Sequence, residues 1–237
     1  TPLEWQYLWR FISQDIVPQP LRTNDFQFEQ LTSWLGEILA QQILPGIWAT
    51  LLLSVAALSL TALLALALWP FASRVLVGRG QLIGHSVLIV LRTTPEFVIT
   101  FVIMLLLGPS MLPAIIALAL HNGGIIAYLL ARSSEHIKLR PDKPSALNLW
   151  AYQLQPQLYP SFIAWLFYRF EVILRESAIL GMLGVTTLGF YIDSAFEALY
   201  FDVALLLILA TAAINMSVNH LSLRLRQHLN VDKLVLL

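Results

Sequence analysis

The chain contains no cysteine. Disulfides, thiolate metal ligands and a cysteine nucleophile are therefore excluded, and the redox compartment leaves no trace. Charge is also scarce: only 12% of the 237 residues are Asp, Glu, Lys or Arg, roughly half the share usual in a water-soluble domain. The net charge is zero, so no basic excess points to nucleic acid. Catalytic signatures are missing as well. The sequence has no glycine-rich phosphate loop ending in Lys-Ser or Lys-Thr, no nucleophile elbow and no His-Glu-x-x-His. Because no nucleophile, base and orienting group fall together, an integral-membrane enzyme is disfavoured. There is no internal repeat, heptad seam or low-complexity tract.

What is present is apolar. Hydrophobic residues make up 58% of the chain and the mean hydropathy is +0.73, which makes lipid the natural solvent. A helix rises ~1.5 Å per residue and must cross ~30 Å of hydrocarbon, so a span needs roughly 20 apolar residues. Five stretches qualify: residues 46–70, 82–107, 111–131, 158–180 and 199–221. The second is interrupted by Arg92, Pro95 and Glu96 and is expected as two shorter helical pieces. The expected fold class is all-α, a polytopic membrane helical bundle. Residues 1–45 form an extracytoplasmic N-terminal segment, 46–222 the transmembrane domain with an inner loop at 132–157, and 223–237 a cytoplasmic tail.

Basic residues in the loops set the orientation. Of the fourteen, Arg74, Arg79, Arg132, Lys138, Arg140, Lys143, Arg224, Arg226 and Lys233 fall on one side. Arg10 and Arg22 fall on the other, among most of the acids, and the remaining three lie inside spans. This places the N-terminus outside and the C-terminus in the cytoplasm. The N-terminal segment is too polar to span. Trp34, Leu35, Ile38 and Leu39 have helical spacing and suit an amphipathic helix on the outer surface. The sequence begins at Thr1 with no signal-peptide core, which leaves open a cleaved segment or another part of a longer polypeptide upstream.

Charges inside spans are expensive, about 2.5–3.5 kcal/mol each on an insertion scale. Glu171 and Arg175 are four apart and can neutralise each other on one helix face, as can Arg92 and Glu96. Arg169 and Glu176, seven apart on a different face, need outside partners. A cross-helix network of Arg92, Glu96, Arg169 and Glu176 is expected, either holding spans together or lining a polar path for a solute. His121-Asn122-Gly123-Gly124 sits in the middle of the third span. Its glycines suit close helix packing, while His121 and Asn122 suit hydrogen bonds across the contact. The other histidines fall in separate segments, so no metal site is expected and no cofactor either.

Gly181, Gly184 and Gly189 follow the fourth span. Glycine at this density suits a bent or partly re-entrant backbone, a gate at the outer end of the bundle or a simple connecting turn. The inner loop carries the stretch Ser-Ala-Leu-Asn-Leu-Trp-Ala-Tyr-Gln-Leu at 145–154, between Pro144 and Pro156. With Ser145 as a cap and Leu147, Leu149, Trp150, Tyr152 and Leu154 following, it is expected as a short helix parallel to the membrane. Such a helix serves either to dock a soluble motor or as an interfacial anchor.

Several of these motifs occur together in an order that resembles one family. They are Arg92-Thr-Thr-Pro-Glu96, His121-Asn-Gly-Gly124, Gln155-Pro-Gln-Leu-Tyr-Pro160, Tyr168-Arg-Phe-Glu171 with Arg175, Gly181-Met-Leu-Gly184 and Leu223-Arg-Leu-Arg226. From about residue 26 to 229 the chain resembles the permease subunits of bacterial ABC importers of the methionine-importer-like fold, and among them the phosphonate-type permeases. The resemblance implies a paired pore in the inner membrane, either a homodimer or a fused pseudo-dimer. It also implies separate ATPase subunits below the pore and an external solute-binding protein delivering phosphonate or a related oxyanion. Permeases of this class carry an inner-loop pattern of Glu-Ala-Ala, three residues, Gly, nine residues, then Ile-x-Leu-Pro. Counting back from Pro156 places Lys143 at the Gly and Ile137-Lys138-Leu139 at Glu-Ala-Ala, so only the proline is kept. That departure keeps a second reading open, a non-conducting assembly or regulatory subunit with the same fold. It also suggests that this chain is the weaker half of an asymmetric pair.

Overall fold

The computed structural model describes residues 5–22, 27–140 and 145–228, with side chains as far as Arg224. Lys143 and Pro144 therefore lie outside the described residues, as do the side chain of Arg226 and the whole of Lys233. Among the described residues the chain is helical with no strands. In order, the helices are α1 (Trp5–Arg10), α2 (Phe28–Ile38), α3 (Leu44–Ala72), α4 (Arg74–Val77), α5 (Gln81–Thr93), α6 (Glu96–Leu107), α7 (Met111–Ser134), α8 (Ala146–Asn148), α9 (Gln155–Leu180), α10 (Leu188–Glu197) and α11 (Phe201–His228). Among the described residues, five helical runs are long and apolar enough to cross a membrane: Phe28–Ala72, Arg74–Thr93, Met111–Ser134, Ala146–Glu197 and Phe201–Arg224.

The core pattern is that of a lipid-solvated protein. Helix α3 is apolar all round, so amphipathicity cannot tell which face it buries. Size does. Its buried positions are Gly46, Thr50, Leu53, Ser54, Ala57, Thr61, Ala65, Trp69 and Ala72, mostly small residues at three- and four-residue intervals. Small side chains let helix axes approach closely where no water is available to drive association. The larger Leu52, Val55 and Leu63 face outward, where lipid solvates them. Helix α7 lies along this small-residue stripe and is the most buried of the long helices, with α9 and α5 closing around it.

Gly123 and Gly124 make that packing possible. A Cβ on Gly123 would sit 3.1 Å from the Leu64 side chain of α3, and one on Gly124 would sit 2.8 Å from Leu91 of α5. The close helix approach expected of this glycine pair is thus present, and it serves two neighbours at once.

The second span is two pieces, as its sequence suggested. Helix α5 ends at Thr93, Pro95 caps the start of α6, and Thr94 between them is extended. Proline has no N–H to donate, and it pushes the preceding residue out of the helical region. The first span begins further upstream than residue 46. The stretch with Trp34, Leu35 and Ile38 is helical and runs through a widened turn at Leu39–Ile43 straight into α3. At ~1.5 Å per residue, the 45 residues of Phe28–Ala72 outreach any hydrocarbon layer. The N-terminal segment is also tied down at the start of α11. The backbone N–H of Gln19 donates to Asp202 Oδ2 at 2.9 Å, Arg22 lies 3.7 Å from the same oxygen, and the Phe11 and Phe201 rings meet edge-on.

After α9 the chain turns sharply. Gly184 has φ +87°, which a residue with a side chain adopts only at a cost, and α10 then packs back against α9, α3 and α11. Gly181 and Gly189 meet backbone to backbone here. A Cβ on Gly189 would collide with the Ala178 carbonyl, and one on Gly181 would collide with the Phe190 amide. Thr50 seals the corner, accepting from the Leu188 N–H at 3.0 Å and donating to the Gly46 carbonyl at 2.7 Å.

Candidate functional site

Halfway along the bundle, polar side chains from α6, α7 and α9 converge. Asn122 of α7 is fully buried. Its amide nitrogen donates to Glu176 of α9 at 3.1 Å and to the Leu118 carbonyl at 3.0 Å. Its amide oxygen accepts from Arg169 at 3.3 Å. One neutral side chain therefore bridges an acid and a base on another helix. His121, one residue earlier, turns to the break between α5 and α6. Its Nδ1 donates to the Thr94 carbonyl at 3.0 Å, and its Nε2 lies 3.9 Å from Glu96. The break makes this contact possible, because an uninterrupted helix would commit that carbonyl to the amide one turn on.

The expected Arg92–Glu96 pair does not form. The two residues sit on different helical pieces, so the four-residue spacing no longer puts them on one face. The Arg92 guanidinium lies 3.9 Å from the centre of the Tyr128 ring, a cation–π contact. Tyr128 was not singled out in the sequence. Its signal was its place seven residues after His121, on the same stripe of α7. Arg175 and Glu171 do pair along α9, at 3.4 Å. The Arg175 side chain is 56% exposed, which separates this pair from the central cluster. The convergent set is therefore Glu96, His121, Asn122, Arg169 and Glu176, without Arg92, Glu171 or Arg175.

The inner-loop segment departs from expectation in shape. Ser145 does cap the helix, its Oγ accepting from the Asn148 N–H at 3.5 Å. The segment is not a separate rod ending before Pro156, however. Helix α8 continues through a π-helical stretch, Leu149–Leu154, into α9. A π-helical stretch just ahead of Pro156 changes the backbone register where the ring would otherwise strike the preceding turn. This continuity also divides the side chains. Leu154 is fully buried, while Leu149 and Trp150 pack on the core formed by Trp69, Leu130 and Phe162. Leu147 and Tyr152 stand out, at 71% and 82% exposure. Beside them an open apolar groove of about 680 Å³ runs between Leu66, Phe71 and Val77 on one side and Leu147 and Trp150 on the other.

The geometry can be set beside known proteins. No family model matches the chain. Over 177 residues the chain is 27% identical to the phosphate-import permease protein PhnE of Mycolicibacterium smegmatis, covering 72% of this chain and 32% of that one. Over 188 residues it is 26% identical to the phosphite transport system permease protein PtxC of Stutzerimonas stutzeri, covering 76% of this chain and 68% of that one. The chain thus spans about a third of the length of the first of these curated relatives. Among solved structures it resembles an amino acid ABC transporter studied with histidines, at TM-score 0.65 and 20% identity, covering 85% of this chain and 98% of that one. It also resembles the MetNI methionine ABC transporter in an inward-facing conformation, at TM-score 0.65 and 14% identity, covering 78% of this chain and 94% of that one. The fold is shared with these two ABC transporter chains, and the long apolar helical runs mark the chain as a multi-pass membrane protein.

Proposed function

We propose that this chain is the membrane-spanning permease subunit of a binding-protein-dependent ABC importer for a phosphonate or a related oxyanion. The observation that carries the reading is the polar cluster where α6, α7 and α9 meet beside a broken helix. Non-helical backbone and ionisable groups at membrane depth are tolerated where they line a cavity or a path. The relatives with phosphate-import and phosphite-transport permease names support the substrate class. In this reading separate ATPase subunits power the cycle, a solute-binding protein delivers the cargo, and a second permease half completes the pore in the inner membrane. The N-terminus lies outside and the C-terminus in the cytoplasm. The glycine corner at Gly181, Gly184 and Gly189 acts as the outer gate, and Leu147 and Tyr152 contact the ATPase.

A second reading is favoured by one observation: the inner loop lacks the usual glycine and Glu-Ala-Ala positions, and its helix is an extension of α9. In that reading the chain is a non-conducting assembly or regulatory subunit. The two separate in proteoliposomes holding the chain with its ATPase and binding protein. ATP-dependent uptake of labelled methylphosphonate or phosphite is the expected outcome. An intact, ATP-hydrolysing assembly that moves neither solute would support the second reading instead.

A further inference from the structure

We propose that Glu96, His121 and Glu176 form a binding site for a divalent transition-metal cation. One carboxylate oxygen from each glutamate and one ring nitrogen of His121 lie within 4.8 Å of one another. The three ligands come from three helices, α6, α7 and α9, so no spacing in the sequence announces them.

Three features of the surroundings favour a metal. The first is the imidazole. A carbonyl only accepts, so the contact with Thr94 places a proton on Nδ1 and turns Nε2 toward Glu96. Metal-bound histidines are oriented in just this way, by a hydrogen bond from the other ring nitrogen to a carbonyl or carboxylate. The second is Glu176, which is held by the buried Asn122 amide and so already has the outer support that metal-binding carboxylates require. The third is charge. Among the described residues neither Glu96 nor Glu176 is ion-paired with a guanidinium. Arg169 is bonded to the Asn122 oxygen, Arg92 lies over Tyr128, and Arg175 pairs with Glu171. Arg169 acts on the two carboxylates through space and not by direct contact, so a divalent cation bonded between them would supply the contact that no guanidinium makes.

The ligand set narrows the class. Two carboxylate oxygens and one imidazole nitrogen suit Zn²⁺, Mn²⁺ or Fe²⁺, whereas Ca²⁺ takes six to eight oxygens. Bonds of about 2.0–2.2 Å put neighbouring ligand atoms roughly 3–4 Å apart, so the triad needs to draw in by about an ångström. Glu96 stands in the first turn of α6, next to the break at Pro95, where such a shift is easiest. The Glu96 and His121 side chains keep 21% and 13% exposure, enough to admit an ion. Three protein ligands leave coordination positions open. Under the transport reading an oxyanion would find there a cation rather than two repelling carboxylates.

The test is metal binding by the full chain, purified in detergent with its partner subunits, stripped with chelator and titrated with Zn²⁺. The expected result is one ion per copy of the chain, weakened at least tenfold in Glu96→Gln, His121→Gln and Glu176→Gln and unchanged in Glu171→Gln. X-ray absorption of the zinc-loaded wild type should show one imidazole and otherwise oxygen ligands, a readout that needs no variant to fold. A folded wild type that takes up no stoichiometric zinc, or a zinc shell without imidazole, overturns the site. Zinc binding without solute flux keeps the site and counts against the transport reading. Flux in a chelator-stripped complex that binds no zinc does the reverse.

Discussion

Arg169 and Glu176 are joined through a residue of another helix. They stand two turns apart on α9, and the Asn122 amide of α7 accepts from one and donates to the other. A buried ion pair is costly to assemble, and removing one member leaves the other charge unpaired. Here the connecting member carries no charge, so its loss strands both.

Replacing Asn122 with Leu should therefore destabilise the chain more than a single hydrogen bond would suggest, by about 3–5 kcal/mol. Arg169→Leu should also impair folding or assembly, because Glu176 then shares Asn122 with no base. Thermal unfolding in detergent, followed by loss of monodispersity, measures both. Wild-type behaviour of Arg169→Leu would mean that its charge reaches water or headgroups.

The glycine pair of α7 makes a controlled prediction. Gly124→Ala places a methyl group 2.8 Å from Leu91, whereas Gly36→Ala meets nothing within 4 Å. The first should cost about 1–3 kcal/mol through overpacking. The second should be neutral or slightly stabilising, since alanine favours a helix by up to ~1 kcal/mol. Equal melting temperatures for the two variants would show that α5 simply moves aside.

Orientation is tested by reporter fusions. Fusions at Arg79, Lys143 and Arg226 should all report cytoplasm, and one at Glu197 should report the outside. The reason is the loop asymmetry, nine basic residues against two. An external signal at Lys143 would overturn the arrangement.

How far the sequence could be read depended on the kind of signal. The spans were legible because apolar length is a one-dimensional property, and the break at Pro95 was legible because proline acts locally. The partners of the charged residues were only half legible. Four-residue spacing correctly paired Glu171 with Arg175, where the helix is continuous, and wrongly paired Arg92 with Glu96, where it is not. Asn122 and His121 were visible as polar oddities, yet their partners come from helices tens of residues away, which no spacing rule reaches. The inner loop misled for a related reason. Pro156 looked like a boundary, but a widened turn absorbs it, and the helix passes through.

That continuity sharpens the last prediction. Because α8 and the π-helical stretch extend α9, anything that pushes on this segment acts directly on the helix carrying Arg169 and Glu176. The side chains divide into two groups. Leu154 is buried and Tyr152 is exposed, so the two substitutions should fail differently. Leu154→Ala leaves a core cavity and should cost about 2–5 kcal/mol of stability. Tyr152→Ala combined with Leu147→Asp should leave the melting temperature unchanged and lower substrate-stimulated ATP hydrolysis in the reconstituted complex. If the chain is the weaker half of an asymmetric pair, that loss should be partial, and the matching lesion in the other half should abolish coupling. Equal loss from either lesion, or a complex built from two identical copies of this chain, would rule out the asymmetry. Unchanged hydrolysis in the double variant would remove Leu147 and Tyr152 from the ATPase contact altogether.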